Sequence, residues 1–201
     1  MVSRAESAAA TRRAVLDAAA ELLDEGGPDA VTLRDVSARA GVSRGAPYGH
    51  FADKDTLLAA VATEDWERFS DEIAALRGTP AAKLRGALTA LVSIGRHHPH
   101  RYRQMLGPPA GEDPGQMVAA SCRAQEEFLT LVSQVVDEQD VHRYGGLLFT
   151  GVSGIINAEL SGHFTTGKWR TSADALVDTL VTLIAHGQPS DHMAGGSSPA
   201  R

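Results

Sequence analysis

The stretch from Val31 to Lys54, VTLRDVSARAGVSRGAPYGHFADK, constrains the chain more than any other. Leu33, Val36 and Ala40 recur at helical spacing, and Thr32 followed by Asp35 is a pattern that closes a helix N-terminus. Gly41 supplies the permissive backbone of a sharp turn, Val42 an apolar anchor, and Ser43 a cap for a second short helix running to about His50. Two short helices joined by a glycine turn make a helix-turn-helix. The second helix is poorly suited to a core, because Arg44, Gly45, Ala46, Tyr48, Gly49 and His50 offer one large cation, small residues and two hydrogen-bonding rings. Such a surface suits a groove.

Docking in the major groove of DNA gives each residue type a reason. Gly45 and Ala46 let the backbone approach, Ala46 can touch a thymine methyl, and Arg44 can fork onto guanine. Thr32, Ser43, Tyr48, His50 and Lys54 complete the expected contact set, with Tyr48 and His50 reaching phosphates and Lys54 facing the backbone at the start of the next helix, which Asp53 caps. Pro47, four positions after the expected cap, removes a helical amide and is expected to tighten the first turn. The run GVSRGAPYGHFADKDTLL resembles the signature of the TetR family of one-component transcriptional regulators, in which Tyr-x-His-Phe-x-x-Lys ends the DNA-reading helix.

Net charge argues the other way at first sight, at −6 with a pI of about 5.7. The distribution resolves this. Residues 1–52 carry six arginines against seven acids, most of which (Asp17, Glu21, Asp24, Glu25, Asp29) lie on one helix and its exit. Arg34, Arg39, Arg44 and Lys54 are expected to make a locally basic DNA face. Arg12 and Arg13, near the start of the first helix, are either further phosphate contacts or solvated charges.

The rest of the chain reads as helix after helix, with no strand pattern. A first helix is expected from the Ala8–Ala10 stretch toward Glu25, after a flexible arm of residues 1–7, and Gly26-Gly27-Pro28 stops it. A long helix follows from Asp53 to about Arg77, then helices from Pro80 to His97, His100 to Leu106 and Gln116 to Glu138, the last presenting Val118, Cys122, Phe128, Leu129, Val132 and Val136. Gly107 to Gly115 reads as a surface loop. Val141, Tyr144, Leu148, Val152 and Ile155 stripe the next helix, and a last helix runs from about Thr171 to His186. The expectation is an all-α chain of about nine helices: a three-helix DNA-binding domain at 1–52, a helical effector-binding and dimerisation domain at 53–187, and a disordered tail at 188–201.

Other residue groups were weighed for chemistry. His97, His98 and His100 suggest a metal site, but neighbouring histidines diverge around a helix, Pro99 splits the set and no carboxylate sits at a ligand spacing, so no metal is expected. HPHRYRQML instead resembles the short helix that follows a His-Pro or Tyr-Pro break in one branch of TetR-like C-terminal domains. Cys122 is the one cysteine, which excludes an intrachain disulfide; it is expected to be a buried structural thiol. No polar constellation supports an enzyme, so no catalytic residue or cofactor is expected. The N-terminus lacks a signal peptide's apolar core and no run approaches the ~20 residues that span a bilayer, so a cytoplasmic protein is expected.

The pocket is expected to draw on Trp66, Phe69, Tyr102, Met105, Phe128 and Phe149, and so to favour a hydrophobic or aromatic effector. Glu159 extends an apolar stripe and needs a partner, either an arginine such as Arg143 or Arg170, solvent, or a cationic ligand group. Gly151, Gly154 and Ala158 form a small-residue stripe that, with Leu176, Leu180 and Leu183, is the expected dimer surface. The resemblance implies a homodimer whose last two helices pair in a four-helix bundle, bound to a palindromic operator and released by ligand. Ligand-dependent activation and a ligand-binding or scaffolding protein with a vestigial DNA domain stand as alternatives.

Overall fold

The computed structural model describes residues 3–109, 111, 115–164 and 168–186. Residues 110 and 112–114 of the Gly107–Gly115 loop and all of the 188–201 tail lie outside the described residues. The described residues form eight α-helices, three short 3-10 turns and no strand. The helices are α1 Arg4–Gly26, α2 Leu33–Arg39, α3 Lys54–Ala75, α4 Pro80–His97, α5 Pro99–Leu106, α6 Gly115–Val132, α7 Val141–Leu160 and α8 Ala173–His186.

The expected arm at the N-terminus is helical from Arg4 onward. Ser3 and Glu6 form a reciprocal capping box, the Ser3 hydroxyl accepting the Glu6 N–H at 3.1 Å and the Glu6 carboxylate accepting the Ser3 N–H at 2.6 Å. This Ser-x-x-Glu signal was present in the sequence beside the alanine run. At its other end α1 stops at Gly27, whose φ of 71° lets its N–H reach the Leu23 carbonyl at 2.9 Å.

Two apolar cores are stacked along α3. The first joins Val15, Leu16, Leu23, Val36 and Phe51 to Leu57, Leu58 and Val61 of α3. The second takes Trp66, Phe69 and Ile73 of the same helix and packs them with α4 to α8. Within it α4 is central, contacting α3, α5, α6, α7 and α8. Leu84, Leu88 and Val92 of α4 are fully buried, and truncating one such leucine to alanine would cost about 2–5 kcal/mol. Two glycines set the helix spacing. A Cβ at Gly95 would collide with Ile156, and one at Gly145 with the end of Leu129, so a side chain at either position would force its neighbour on the facing helix to move.

Three expectations are corrected here. The helix after the loop ends at Val132 rather than Glu138, because the chain tightens into turns in which the Val132 carbonyl accepts both the Val135 and Val136 N–H groups. Val118 and Cys122 are exposed rather than buried. The buried stripe of α6 is Met117, Ala120, Ala124, Phe128 and Leu131, and α6 packs on α3; neighbouring positions lie about 100° away around the helix. Finally, Glu159 is held by Arg96 of α4 at 2.8 Å, with Asp174 joining at 3.2 Å, and not by Arg143, which pairs with Asp140. Arg96 points outward from the α4 stripe, so the pairing needed the helix–helix register that only the fold supplies.

Candidate functional site

The DNA-reading candidate is built on three local devices. Thr32 caps α2, accepting the Asp35 N–H at 3.1 Å while its hydroxyl donates to the Asp35 carboxylate at 2.6 Å. α2 then ends in a paired-carbonyl motif: Gly41, at φ 66°, donates to the Ala38 carbonyl, and Val42 donates to the Ser37 carbonyl at 3.1 Å. The third device departs from the expected second α-helix. Residue 47 would donate to the Ser43 carbonyl in an α-ladder, but proline has no N–H. The Ser43 carbonyl therefore accepts the Ala46 N–H at 2.9 Å, and the chain winds as 3-10 turns, with Gly49 donating to Ala46 and His50 to Pro47. That is why the described residues hold eight α-helices rather than nine.

Pro47 is the buried side of this tightened segment, and Phe51, also buried, pins its end into the first core. The other face is open. Tyr48 is 63% exposed, Ser43, Arg44, Gly45 and Gly49 are exposed, and a Cβ at Gly45 or Gly49 would meet nothing within 4 Å. Ala46 and His50 are half-buried at the rim. Lys54 opens α3 beside Asp53, whose carboxylate accepts the Thr56 N–H at 2.7 Å; that bond holds the Asp53 carboxyl below its usual pKa.

Charge pairing separates the arginines. Arg39, expected on the DNA face, turns onto α1, where it meets Glu25 at 2.8 Å and Glu21 at 3.1 Å. That pairing depends on how α2 crosses α1, which no local pattern in α2 reveals. Arg13 is tied to Asp17 and Glu64, while Arg12 lies over the Phe51 ring at 5.4 Å. Arg34, Arg44 and Lys54 make no ion pair among the described residues.

A cavity of about 320 Å³ lies between α3, α4, α6 and α7. Trp66, Phe69, Leu91 and Phe128 form its apolar depth, and Phe149 contributes from α7, together with Gly145 and Gly146. Ser121, Gln125 and His142 supply the polar groups, and no lining residue is an acid, a lysine or an arginine. Four of the six residues expected at a pocket line it. Tyr102 and Met105 do not: both are buried core on α5, where burial pushes the Tyr102 phenol up in pKa, and the Met105 carbonyl accepts the Trp66 indole N–H at 3.1 Å. Sequence reasoning passed over Ser121, Gln125, His142 and Gly146. Their signal was a mixed stripe, 121, 125 and 128 on α6 and 142, 146 and 149 on α7, too polar to register as core.

The histidine run diverges as spacing suggested. His97 Nδ1 lies 2.9 Å from the Ser93 carbonyl, His98 Nδ1 lies 2.7 Å from Asp24, and the His100 ring sits against Gly27. Gly154 faces open space and Leu183 is 64% exposed, with Leu147 exposed on the same side of α7 as Gly154. Ala158, Leu176 and Leu180 are half-buried, and Gly151 packs within the chain against Leu180. No helix among the described residues is long and apolar enough to cross a membrane.

Comparison with known proteins accounts for both parts of this arrangement. The model for bacterial regulatory proteins of the tetR family matches residues 15–61, and that for the tetracyclin repressor-like C-terminal domain matches residues 84–184. The HTH-type transcriptional repressor Rv1474c of Mycobacterium tuberculosis is 47% identical over 62 residues, 31% of this chain and 33% of that protein. An uncharacterized HTH-type transcriptional regulator of the same organism, Rv0681, is 24% identical over 200 residues, covering 98% of this chain and 89% of its own. The solved structure of a protein with unknown function from Rhodococcus sp. RHA1 aligns with a TM-score of 0.75 at 24% identity, covering 88% of this chain and 94% of that one. The chain spans a third or less of the length of the first curated relatives it matches. With the reading turn covered by one model and most of the cavity-bearing helices by the other, the chain belongs to the TetR family, whose members are transcriptional regulators rather than enzymes.

Proposed function

We propose that the protein is a ligand-released repressor that binds a near-palindromic operator as a homodimer. The observation that carries this reading is the double role of α3. Its first residue, Lys54, adjoins the reading turn, and Trp66 and Phe69, about 18 and 22 Å further along at ~1.5 Å per residue, wall the cavity. A ligand that displaces Trp66 acts on the same rigid element that positions the DNA contacts. Residues 1–52, completed by the first turns of α3, are the DNA-reading part, and 53–187 the effector-binding and dimerisation part.

Cavity chemistry narrows the effector. At about 320 Å³ it lies at the small end of the ~300–1,000 Å³ typical of ligand sites. Four aromatic side chains and the lack of a charged lining residue favour a compact, neutral, aromatic molecule, with one hydrogen-bonding group directed at Gln125 or His142. A carboxylate or phosphate placed there would be desolvated without a cation. For the dimer, Leu147, Gly154 and Leu183 give α7 and α8 an exposed apolar face with room for close approach. A two-fold pairing buries the same patch on both copies and presents two identical reading turns.

Selection of bound fragments from a genomic library, followed by thermal-shift screening of small molecules, tests the reading. The expected result is a near-palindromic site whose affinity falls with salt, and neutral aromatic compounds that both raise Tm and release that site. Absence of sequence-specific DNA binding would overturn the regulator reading. Stabilisation by polar anionic metabolites alone would overturn the effector class.

A further inference from the structure

Beside α3, a second connection joins the cavity to the DNA-reading part, and it runs through α5. At one end the Trp66 indole of the cavity wall donates to the Met105 carbonyl at 3.1 Å. One turn back along α5, Arg101 is 8% exposed and forks onto Asp65, the residue before Trp66: Nε donates to Oδ2 at 3.0 Å, and Nη2 to Oδ1. Its remaining nitrogen, Nη1, reaches the Asp24 carboxylate in the last turns of α1 at 3.4 Å. The same Asp24 oxygen lies 2.7 Å from His98 Nδ1, and the other Asp24 oxygen is buried without a partner among the described residues. Next to this contact, the His100 ring occupies the space that a side chain at Gly27 would fill.

The two halves of the Arg101 contact are unequal. Burial works against the guanidinium charge, yet Asp65 and Asp24 outweigh it and leave the pKa above its ordinary value, so the charge persists. The planar fork onto Asp65 is bidentate and fixes Arg101 to α3. The reach to Asp24 is at the edge of hydrogen-bond range, so a displacement of a few tenths of an ångström opens it. Buried ion pairs are poor sources of stability but can fix one arrangement against another.

We propose that Arg101 is a positioning residue that couples the cavity to the DNA-reading part: it moves with Asp65 and Trp66 on α3, and its contact with Asp24 sets how α1 sits on the effector-binding body. The proposal rests on the function proposed above. It assigns to α5 a strut with two states, Asp24 engaged when the protein holds DNA and released when Trp66 is pushed. Spatial intermediacy alone does not establish coupling, so the test must read one end while the other is perturbed.

The full chain with Trp169→Phe leaves Trp66 as its one indole, and ¹⁵N labelling of tryptophan makes the Trp66 N–H a single resonance. Saturating the protein with a selected operator fragment, with binding verified by fluorescence anisotropy, should shift that resonance. Adding Asp24→Asn, which spares the Arg101–Asp65 fork, should reduce the shift at least threefold at saturating DNA. Arg101→Lys, which keeps a charge but cannot fork, should do the same and covers the case in which Asp24→Asn fails to fold. A merely structural role would lower Tm and leave the operator-induced shift intact. The proposal is overturned if either folded variant keeps the full shift, or if operator leaves the Trp66 resonance unmoved in the parent. Loss of all operator binding in the parent would instead overturn the DNA-binding reading beneath it.

Discussion

Filling the cavity separates a binding site from a packing defect. Ala124 lies on α6, is 1% exposed and lines the cavity floor beside Phe128. Ala124→Leu adds three carbons to a space of about 320 Å³. At ~0.8 kcal/mol per buried methylene the gain has a ceiling of roughly 2.4 kcal/mol. The new side chain must adopt a rotamer between Trp66 and Phe128, and off-rotamer strain of about 0.5–1.5 kcal/mol is the expected offset. The net is about +1 kcal/mol, or a rise of ~2–4 °C in Tm for a chain of this size. The neutral fluorophore N-phenyl-1-naphthylamine reports the other half of the experiment, since its emission rises in apolar surroundings. Titration into the parent should show saturable binding, and Ala124→Leu should weaken it at least tenfold while Tm rises. A fall in Tm would show that the space is not available to a side chain. Unchanged probe affinity would show that the probe binds elsewhere, and either result refutes the reasoning.

Three further outcomes follow from the geometry. Arg44→Ala should cost about 1–3 kcal/mol on the selected operator and relax base preference at one position per half-site, whereas Lys54→Ala should weaken all sequences alike and lower the salt slope by about one unit per subunit; competition binding at several salt concentrations distinguishes them. Leu183→Glu, at the most exposed leucine of α8, should shift the protein from dimer to monomer in sedimentation velocity, and Gly154→Leu should act in the same direction. The Asp53 carboxyl is held down by the Thr56 N–H, Glu25 by Arg39 and Glu6 by Ser3, so each contributes stability above its unfolded pKa of about 4 and loses it as pH falls through the lower folded value. Melting curves should therefore lose stability below about pH 4, and Asp53→Asn should flatten part of that loss.

Local chemistry was legible wherever one segment determines its own shape. The Thr32 cap, the Gly41 turn and the disruption at Pro47 could all be read from residue types, because each depends on neighbours within five positions. What was lost was the relation between helices. Cys122 looked buried because it shares a helix with Phe128 and Leu129, but α6 turns inward the face that carries Met117, Ala120, Ala124 and Phe128. Glu159 clearly needed a partner, yet Arg96 lies 63 positions away in sequence. The cavity shows the same division. Its large aromatics were recognisable as residue types, whereas Tyr102 and Met105 could be told from Phe128 and Phe149 only once α5 was seen to lie behind Trp66. The tightened reading turn is a milder case, since proline identified the conflict but only the backbone showed that the Ser43 carbonyl resolves it through Ala46.

The same distinction explains how a chain of net charge −6 can present a surface for DNA. Between exposed groups, charge is screened over roughly 8 Å at physiological salt, so a phosphate at the reading turn responds to the cations beside it and very little to acids on the far side of the effector-binding helices. Pairing then sorts the cations near the turn. Arg13 and Arg39 are committed to carboxylates on α1 and α3, which turns part of the acidic face of α1 into internal contacts. Arg44, Arg34 and Lys54 have no ion-pair partner among the described residues, and Arg44 lies in the same open turn as Tyr48 and the bare backbone of Gly45 and Gly49. The acidic remainder acts in the opposite sense on the rest of the surface, where it repels phosphates and confines attraction to one face. Under the function proposed above, specific binding by an acidic regulator requires only that its free cations be few and placed together, and the pairing of Arg13 and Arg39 leaves Arg44, Arg34 and Lys54 for that role.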